Sequence, residues 1–471
     1  MGRRPNIIVI VSDDHASHAI GAYGSRINET PHIDRLAQTG MRFDSCLCTN
    51  SICTPSRAAM LTGTYNHVNG VTTLDTPMDN TLRTFPKLLR AEGYQTAIYG
   101  KWHLGHGAGH DPTGFDAWRV LRDQGEYHDP EFLGPDGAAV VKGYVTDIIT
   151  DLAIEWIRAR DPERPFMVMV HHKAPHRSWE PDEAHASLYR DVDIAEPETF
   201  RDDYATRSAA AEAARCQMMD LGEADLKEPV PAGLTPDEEI SWRYQRYIKD
   251  YLRCVASIDD NVGRLLDHLE AELLAGETVV VYSSDQGFFL GDHGWFDKRF
   301  MYEESLSMPL LVRAPGMAAP GSVSTEMVLN VDFAPTLCEL AGVEPPGWMQ
   351  GTSAVPLLRG ETPPDWQQSM YYRYWMHRDS AHDVWAHYGV RTHTHKLIHF
   401  YADPLGQPGA NGPADPPQWE LYDLEADPYE VNNVIDDPAY RAIRRELETE
   451  LARLQAALGD EPYPAPAAPT T

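Results

Sequence analysis

The sequence predicts an α/β fold over residues 1–360, a large mixed and mostly parallel sheet sandwiched by helices, followed by a smaller C-terminal antiparallel-sheet part of α+β character over 361–471. Three observations predict it. Short β-rich runs alternate with stretches of helical periodicity. The runs are apolar without interruption, as strands covered on both faces must be. Beyond about residue 360 the composition turns to aromatics, His and Pro with short strand-like pieces.

In chain order, "NIIVIV" (6–11) opens as a strand, and "PHIDRLAQTG" follows as a helix stopped by Gly40. In "SICTPSRAAMLTG" (51–63) the local signals give a helix with Thr54 as N-cap and Pro55 at its first position. "TFPKLLRAEG", stopped by Gly93, leads into the strand "QTAIY" (95–99). "YVTDIITDLAIEWIRAR" reads as a helix and "PFMVMV" (165–170) as a strand. Residues 180–238, rich in charge, Pro and Ala, predict a surface excursion with one or two helices. A long helix spans 244–276, then come the strands "TVVVYSS" (278–284) and "MPLLVR" (308–313). The C-terminal part contributes "HYGVRTHTHKLIHFY" and "WELYDLEADPYE" as strand-like pieces, with "EPYPAPAAPTT" as a frayed tail. No internal repeat is found.

With 471 residues, 42% of them hydrophobic, the chain can bury a large core. Its 40 basic against 71 acidic residues leave a net charge of −31, a field that repels nucleic acid and anionic membrane. No apolar run reaches 18 residues, and "MGRRPNIIVIVSDDH" turns acidic too soon for a signal-peptide core and lacks the pattern of a myristoylation signal. The expectation is a soluble, cytoplasmic protein. Six cysteines do not make a disulfide scaffold, and no fourth ligand joins Cys46, Cys48 and Cys53 in a metal-thiolate knot. Cys46, Cys48, Cys216, Cys254 and Cys338 are expected as ordinary buried thiols.

In an open α/β sheet, ligands sit beyond the carboxyl ends of the parallel strands, so the residues following each apolar run are informative. The first run ends in Ser12-Asp13-Asp14-His15 and the second in Gly100-Lys101-Trp102-His103. The third ends in His171-His172-Lys173 with Pro175-His176, the fourth in Asp285-Gln286-Gly287. Asp13, Asp14, Asp285 and Gln286 form an all-oxygen set suited to a hard cation, Ca²⁺ or Mg²⁺. Taken singly, each Asp would be a cap or turn residue. Lys101, His103, His176 and Lys298 would supply charge and protons around an anion held there. His171, His172 and the His-rich piece at 393–399 are assigned structural roles. Cys53, just ahead of a helix and with Arg57 one turn in, is placed for an anionic centre or a reactive thiolate.

The segment Cys53-Thr54-Pro55-Ser56-Arg57 resembles the C-x-P-S-R signature of the type I sulfatases, continued by "AAMLTG". "PNIIVIVSDDH", "TPHIDRLAQTGMRF", "GYQTAIYGKWHLG", "SSDQG" and "ELYDLEADPYEVNN" resemble further motifs of that family, in its order and over almost the whole chain. The resemblance implies an alkaline-phosphatase-like fold and a sulfatase. It also implies that Cys53 is oxidised to formylglycine by a formylglycine-generating enzyme, and that a Ca²⁺ (or Mg²⁺) is bound by Asp13, Asp14, Asp285, Gln286 and the modified Cys53. One hydroxyl of the hydrated aldehyde would attack sulfur, and His103 would deprotonate the second to expel sulfate. Lys101 and Lys298 would bind the sulfate oxygens, His176 with Lys298 would protonate the leaving oxygen, and Arg57 would hold the aldehyde. The chain departs from many relatives in having Gln286 where they carry Asn or His. The resemblance further implies a sulfated sugar or aryl sulfate as substrate, with "KAPHRSWEP" and "DQGFFLGDHGWFDKRFMYEES" resembling carbohydrate-directed, N-acetylglucosamine-6-sulfatase-like members. A phosphonate monoester or phosphodiester hydrolase of the same superfamily is the nearest alternative, a non-catalytic sulfated-glycan-binding protein the more distant one. His293, Trp295, Arg373, His377 and Arg391 are candidates for outer-pocket contacts.

Overall fold

The computed structural model describes residues 4–463. Most of the tail "EPYPAPAAPTT" therefore lies outside the described residues. The chain divides into two units, one running to Asp202 and resuming over Cys216–Trp366, the other made of Asp203–Arg215 and the chain from Gln367 onward.

The first unit is built on a ten-stranded sheet. Its strands are β1 (Asn6–Ser12), β2 (Met41–Phe43), β3 (Gln95–Lys101), β4 (Ala117–Leu121), β5 (Glu131–Gly134), β6 (Gly137–Val140), β7 (Phe166–His171), β8 (Thr278–Ser284), β9 (Leu310–Arg313) and β10 (Ser322–Ser324). They lie in the order β10-β2-β9-β8-β1-β7-β3-β4-β5-β6. The five central strands β8, β1, β7, β3 and β4 are mutually parallel, while β9, β5 and β6 run antiparallel to their neighbours. The apolar run 6–11 is continuous because alternate residues feed two cores: Ile8 and Ile10 pack in one, Ile7, Val9 and Val11 in the other.

Helices α1 (Pro31–Thr39), α4 (Val145–Ala159) and α5 (Pro236–Ala271) cover the first face. Helices α2 (Cys53–Thr62), α3 (Phe85–Ala91) and α6 (Phe333–Leu340) cover the second. Two local expectations change. Helix α2 begins at Cys53 with Ile52 as N-cap, so Thr54 caps nothing and instead donates its hydroxyl to the His103 carbonyl at 2.8 Å. Helix α5 begins eight residues before the expected Tyr244, on a Thr235/Glu238 capping box whose polar first turn, Pro236 to Glu239, is largely exposed. All six cysteines are buried and free. Among the described residues no helix is long and apolar enough to cross a membrane.

The second unit is a four-stranded antiparallel sheet of Ser369–Tyr374, His387–Thr392, His395–Phe400 and Gln418–Asp423, paired in sequence order. Helix α7 (Arg441–Leu458), which gives this unit its α+β character although the sequence reading placed no helix at that position, buries Leu447 and Leu451. The inserted segment belongs here through Ser208 N–H to Glu420 (2.7 Å) and Arg215 N–H to the His382 carbonyl (2.7 Å).

Candidate active site

The register aligns the carboxyl ends of the central strands: Ser12 is level with Ser284, Val11 with His171, and Gly100 with His171. The polar residues that follow β8, β1, β7 and β3 therefore emerge side by side. Consecutive residues leaving a strand normally point to opposite faces. Asp14 takes a left-handed backbone (φ 67°), a conformation Asp tolerates, and so turns its carboxylate toward the side occupied by that of Asp13. Oxygens of Asp13, Asp14 and Asp285 all lie within 4.8 Å of one another, and all three residues are buried.

Helix α2 enters this ring with its first turn. The Cys53 Sγ lies 3.3 Å from Asp13 Oδ1 and 3.6 Å from Gln286 Nε2. The Ser56 hydroxyl donates to the Asp285 carbonyl and accepts from Asn330 Nδ2 at 3.0 Å. Arg57 runs beneath: its Nε donates to Asp285 Oδ2 (2.9 Å), one terminal N–H reaches the Lys101 carbonyl (2.9 Å), and the other terminal nitrogen lies 3.8 Å from Asp13. Lys101 bonds through Nζ to Asp13 Oδ2 and, at 2.5 Å, to Gln124 Oε1. Lys298 pairs with Asp14 Oδ2 at 2.7 Å. His176 turns Nδ1 toward the Arg177 carbonyl (2.7 Å), leaving Nε2 3.7 Å from Asp14. His103 has its Nδ1 3.4 Å from Thr54 Oγ1. The structure thus gathers Asp13, Asp14, Cys53, Arg57, Lys101, His103, His176, Asp285, Gln286 and Lys298 in one network.

Burial pushes the Asp13 carboxyl up, but the charges of Lys101, Arg57 and Lys298 outweigh it and hold the group well below the usual carboxylate range. Burial, reinforced by the neighbouring carboxylates and only partly offset by Lys298 at Asp14 and by Arg57 at Asp285, raises Asp14 to about 6 and Asp285 to about 7. Burial and then Lys101 keep His103 and His176 well below the ordinary imidazole value, so both are neutral. Lys298 stays an ammonium, because Asp14 outweighs its burial. The thiolate expected at Cys53 is overturned: burial and the Asp13 charge push its thiol well above the ordinary value, so the helix terminus does not ionise it.

The donor set fits a hard divalent cation. Three buried carboxylates converge, and the Gln286 Oε1 is buried with no hydrogen-bond partner while its Nε2 donates to Asp14. A second His/Asp group, His32 with Asp259 and Asp260, has a different purpose: the Asp259 carboxylate accepts the His32 and Ile33 N–H groups (3.0 and 2.8 Å) and so caps α1.

Several other residues have local partners of their own. His171 backs Arg57 (3.2 Å). His172 is fully buried. His293 and Trp295 are buried rather than at an outer rim: His293 Nδ1 meets Asp202 at 2.9 Å, and Trp295 stacks on Phe300. In the second unit Arg373 pairs with Asp460 (2.8 Å) over Trp375, His377 sits 3.2 Å from the Pro413 carbonyl, and Arg391 is buried. His395 and His399 sit there too, the latter stacked on Trp419 at 4.0 Å. Sequence reasoning missed the turn after β4, where Gln124 meets Lys101 and the Tyr127 hydroxyl donates to the His176 carbonyl (2.6 Å). Its signal was available as the end of a fifth parallel strand, hidden because "AWRVL" is only partly apolar.

Residues 5–343 match the Sulfatase family model, and residues 291–457 the model "N-sulphoglucosamine sulphohydrolase, C-terminal". The chain is 41% identical to an N-acetylglucosamine-6-O-sulfatase of Bacteroides thetaiotaomicron, over 96% of this chain and 86% of that one. It is 27% identical to the N-acetylglucosamine-6-sulfatase of Homo sapiens, over 79% and 67% of the two chains. A solved structure in complex with its substrate D-glucosamine-2-N,6-O-disulfate superposes with a TM-score of 0.92 at 40% identity, covering 97% of this chain and 98% of that one. A phosphonate monoester hydrolase of Agrobacterium radiobacter shares the fold, with a TM-score of 0.77 at 23% identity over 97% and 96%.

Proposed function

This chain belongs to the sulfatase family and is a sulfuric ester hydrolase; from that premise we propose that it removes the 6-O-sulfate of an N-substituted glucosamine. Its nucleophile is Cys53 matured to formylglycine by a formylglycine-generating enzyme, and its resident ion is Ca²⁺. One observation supports this above the others: Asp13, Asp14, Asp285 and Gln286 meet beside the Cys53 Sγ, with Lys101 and Lys298 against two of the carboxylates. The neutral, buried thiol argues in the same direction, since an unmodified Cys53 is not ionised for attack. The substrate class is supported by the 41% identical relative, named for N-acetylglucosamine-6-O-sulfate chemistry, and by the 40% identical structure that holds a 6-O-sulfated glucosamine.

Asp13, Asp14, Asp285 and Gln286 would hold the ion, which when bound polarises a sulfate oxygen as a Lewis acid. Formylglycine, once made and hydrated, would supply one hydroxyl for attack on sulfur and a second whose deprotonation lets the aldehyde re-form as sulfate departs with the first oxygen. Lys101 and Lys298 orient the sulfate group, and Arg57 fixes Asp285 and the first turn of α2. His103 is kept neutral, as a base must be. His176 is neutral in the free protein, and an arriving sulfate anion favours its protonated form, which can then give a proton to the departing sugar oxygen. Charge supports the ligand's sign as well. Asp13, Asp14 and Asp285 face Arg57, Lys101 and Lys298, so a dication leaves a positive excess that a sulfate monoester and an ionised nucleophile offset.

The test pairs peptide mass spectrometry across Cys53 with initial rates on N-acetylglucosamine 6-sulfate, glucosamine N,6-disulfate, an aryl sulfate and a phosphonate monoester. The 6-O-sulfated glucosamines are expected to give the highest kcat/KM, and only in preparations containing formylglycine. Preference for the phosphonate, or full activity with an entirely unmodified thiol, would overturn the proposal.

A further inference from the structure

We infer that Gln124 is a positioning residue for Lys101, a neutral second acceptor that fixes the ammonium against the sulfate without consuming its charge; this rests on the sulfatase reading of the site. The placement begins with topology. Strand β4 is the fifth parallel strand of the sheet, and Lys101 at the end of β3 is level with Leu121 at the end of β4. The turn that follows β4 therefore opens on the same edge as the ion ligands. Within it Asp123 and Gly125 take left-handed backbones, and the Gly125 N–H closes the turn onto the Arg122 carbonyl at 2.8 Å. The His106 Nε2 accepts the Asp123 N–H at 3.0 Å and tethers the turn to the segment beyond His103. Gln124 is left partly exposed, with its Oε1 2.5 Å from Lys101 Nζ.

An ammonium has three N–H groups and no acceptor. One goes to Asp13 Oδ2 and one to Gln124 Oε1, so the third direction is set by the first two and remains for a sulfate oxygen. Lysine is a flexible point charge on a four-carbon stem, and a single partner would leave it free to swing about that bond. Glutamate would restrain it equally well but would cancel the charge that binds sulfate. An amide restrains without cancelling. The same turn reaches a second member of the site, because the Tyr127 hydroxyl donates to the His176 carbonyl.

The experiment compares the formylglycine-containing wild type with Gln124→Leu and Gln124→Glu, reading kcat and KM on one 6-O-sulfated glucosamine, Kd for inorganic sulfate by calorimetry, and Tm. Loss of a charged hydrogen bond predicts that Gln124→Leu lowers kcat/KM about 10- to 100-fold with Tm essentially unchanged. Gln124→Glu is expected to raise KM and the sulfate Kd together, again about tenfold or more, and to recover toward wild type as pH falls and the new carboxyl protonates. Wild-type constants in both variants, or losses that simply follow a fall in Tm, overturn the inference. A wild type that binds sulfate normally but turns over no sulfate ester refutes the sulfatase reading instead, and the binding arm tells the two failures apart.

Discussion

Arg57 occupies the least forgiving position in the site. Its side chain is 1% exposed and pairs with an Asp285 that is fully buried, so each group's charge is compensated mainly by the other. Breaking a buried pair leaves an uncompensated charge, which costs more than the pair contributes when intact. Arg57→Ala is expected to destabilise the protein by about 3–5 kcal/mol in urea or thermal unfolding and to abolish turnover. Arg57→Lys restores the charge but not the fork that reaches Asp285 and the Lys101 carbonyl together, so it should recover stability in part and activity hardly at all. Full activity in either variant would show that Asp285 is held by something else. At this scale much of the site was legible before any fold was known, because carboxylates, lysines and histidines stood at the ends of apolar runs. What could not be read was ionisation. The Cys53 thiol stays neutral because of burial and Asp13, which lies 40 residues away in the chain, and no local helix-terminus argument contains either.

At the scale of elements, the parallel strands were legible because both faces are covered and the sequence runs apolar without a break. Helix α7 was not read, although Ile443, Leu447, Leu451 and Leu454 recur at helical spacing, because the aromatic, strand-like pieces before it set the expectation for the whole segment. Nor were β4, β5 and β6, whose residues are largely half-buried or exposed and so carry weak patterns. One glycine links the strand to the chemistry. Gly100 lies inside β3 with φ 102°, and a Cβ there would stand 1.9 Å from the carbonyl oxygen of His171 on the neighbouring β7. That obstacle is backbone and cannot turn aside, and the φ value itself excludes a relaxed L-residue. Gly100→Ala should therefore force β3 and β7 apart beside Lys101, lowering Tm by several degrees and kcat/KM at least tenfold. A variant with wild-type Tm and rates would mean that this close approach is not needed.

For the whole molecule, two sets of buried groups oppose each other in pH. Burial holds His15 and His172 near 3 and His387 near 4, below the ordinary value of 6.5. The unfolded chain takes up those protons first, so their contribution is intact above 6.5 and is lost as pH falls toward 4 for His387 and toward 3 for His15 and His172. Asp14 and Asp285 act in the opposite sense. Their folded values of about 6 and about 7 lie above the 3.8 of an exposed Asp, so the ion-free protein binds protons that the unfolded chain has released, and it loses stability as pH rises from about 4 to about 7. A dication among Asp13, Asp14 and Asp285 removes the second loss and leaves the first untouched. The increase in Tm on adding Ca²⁺ to chelator-treated protein should consequently be small at pH 5.5 and larger at pH 7.5, where the carboxylates are ionised. At a concentration a hundred times Kd the stabilisation is about 2.7 kcal/mol, a shift of a few degrees. Asp14→Asn should flatten that pH dependence by removing one of the two titrating ligands. A calcium increment equal at both pH values in the unsubstituted protein would mean that the ion binds elsewhere.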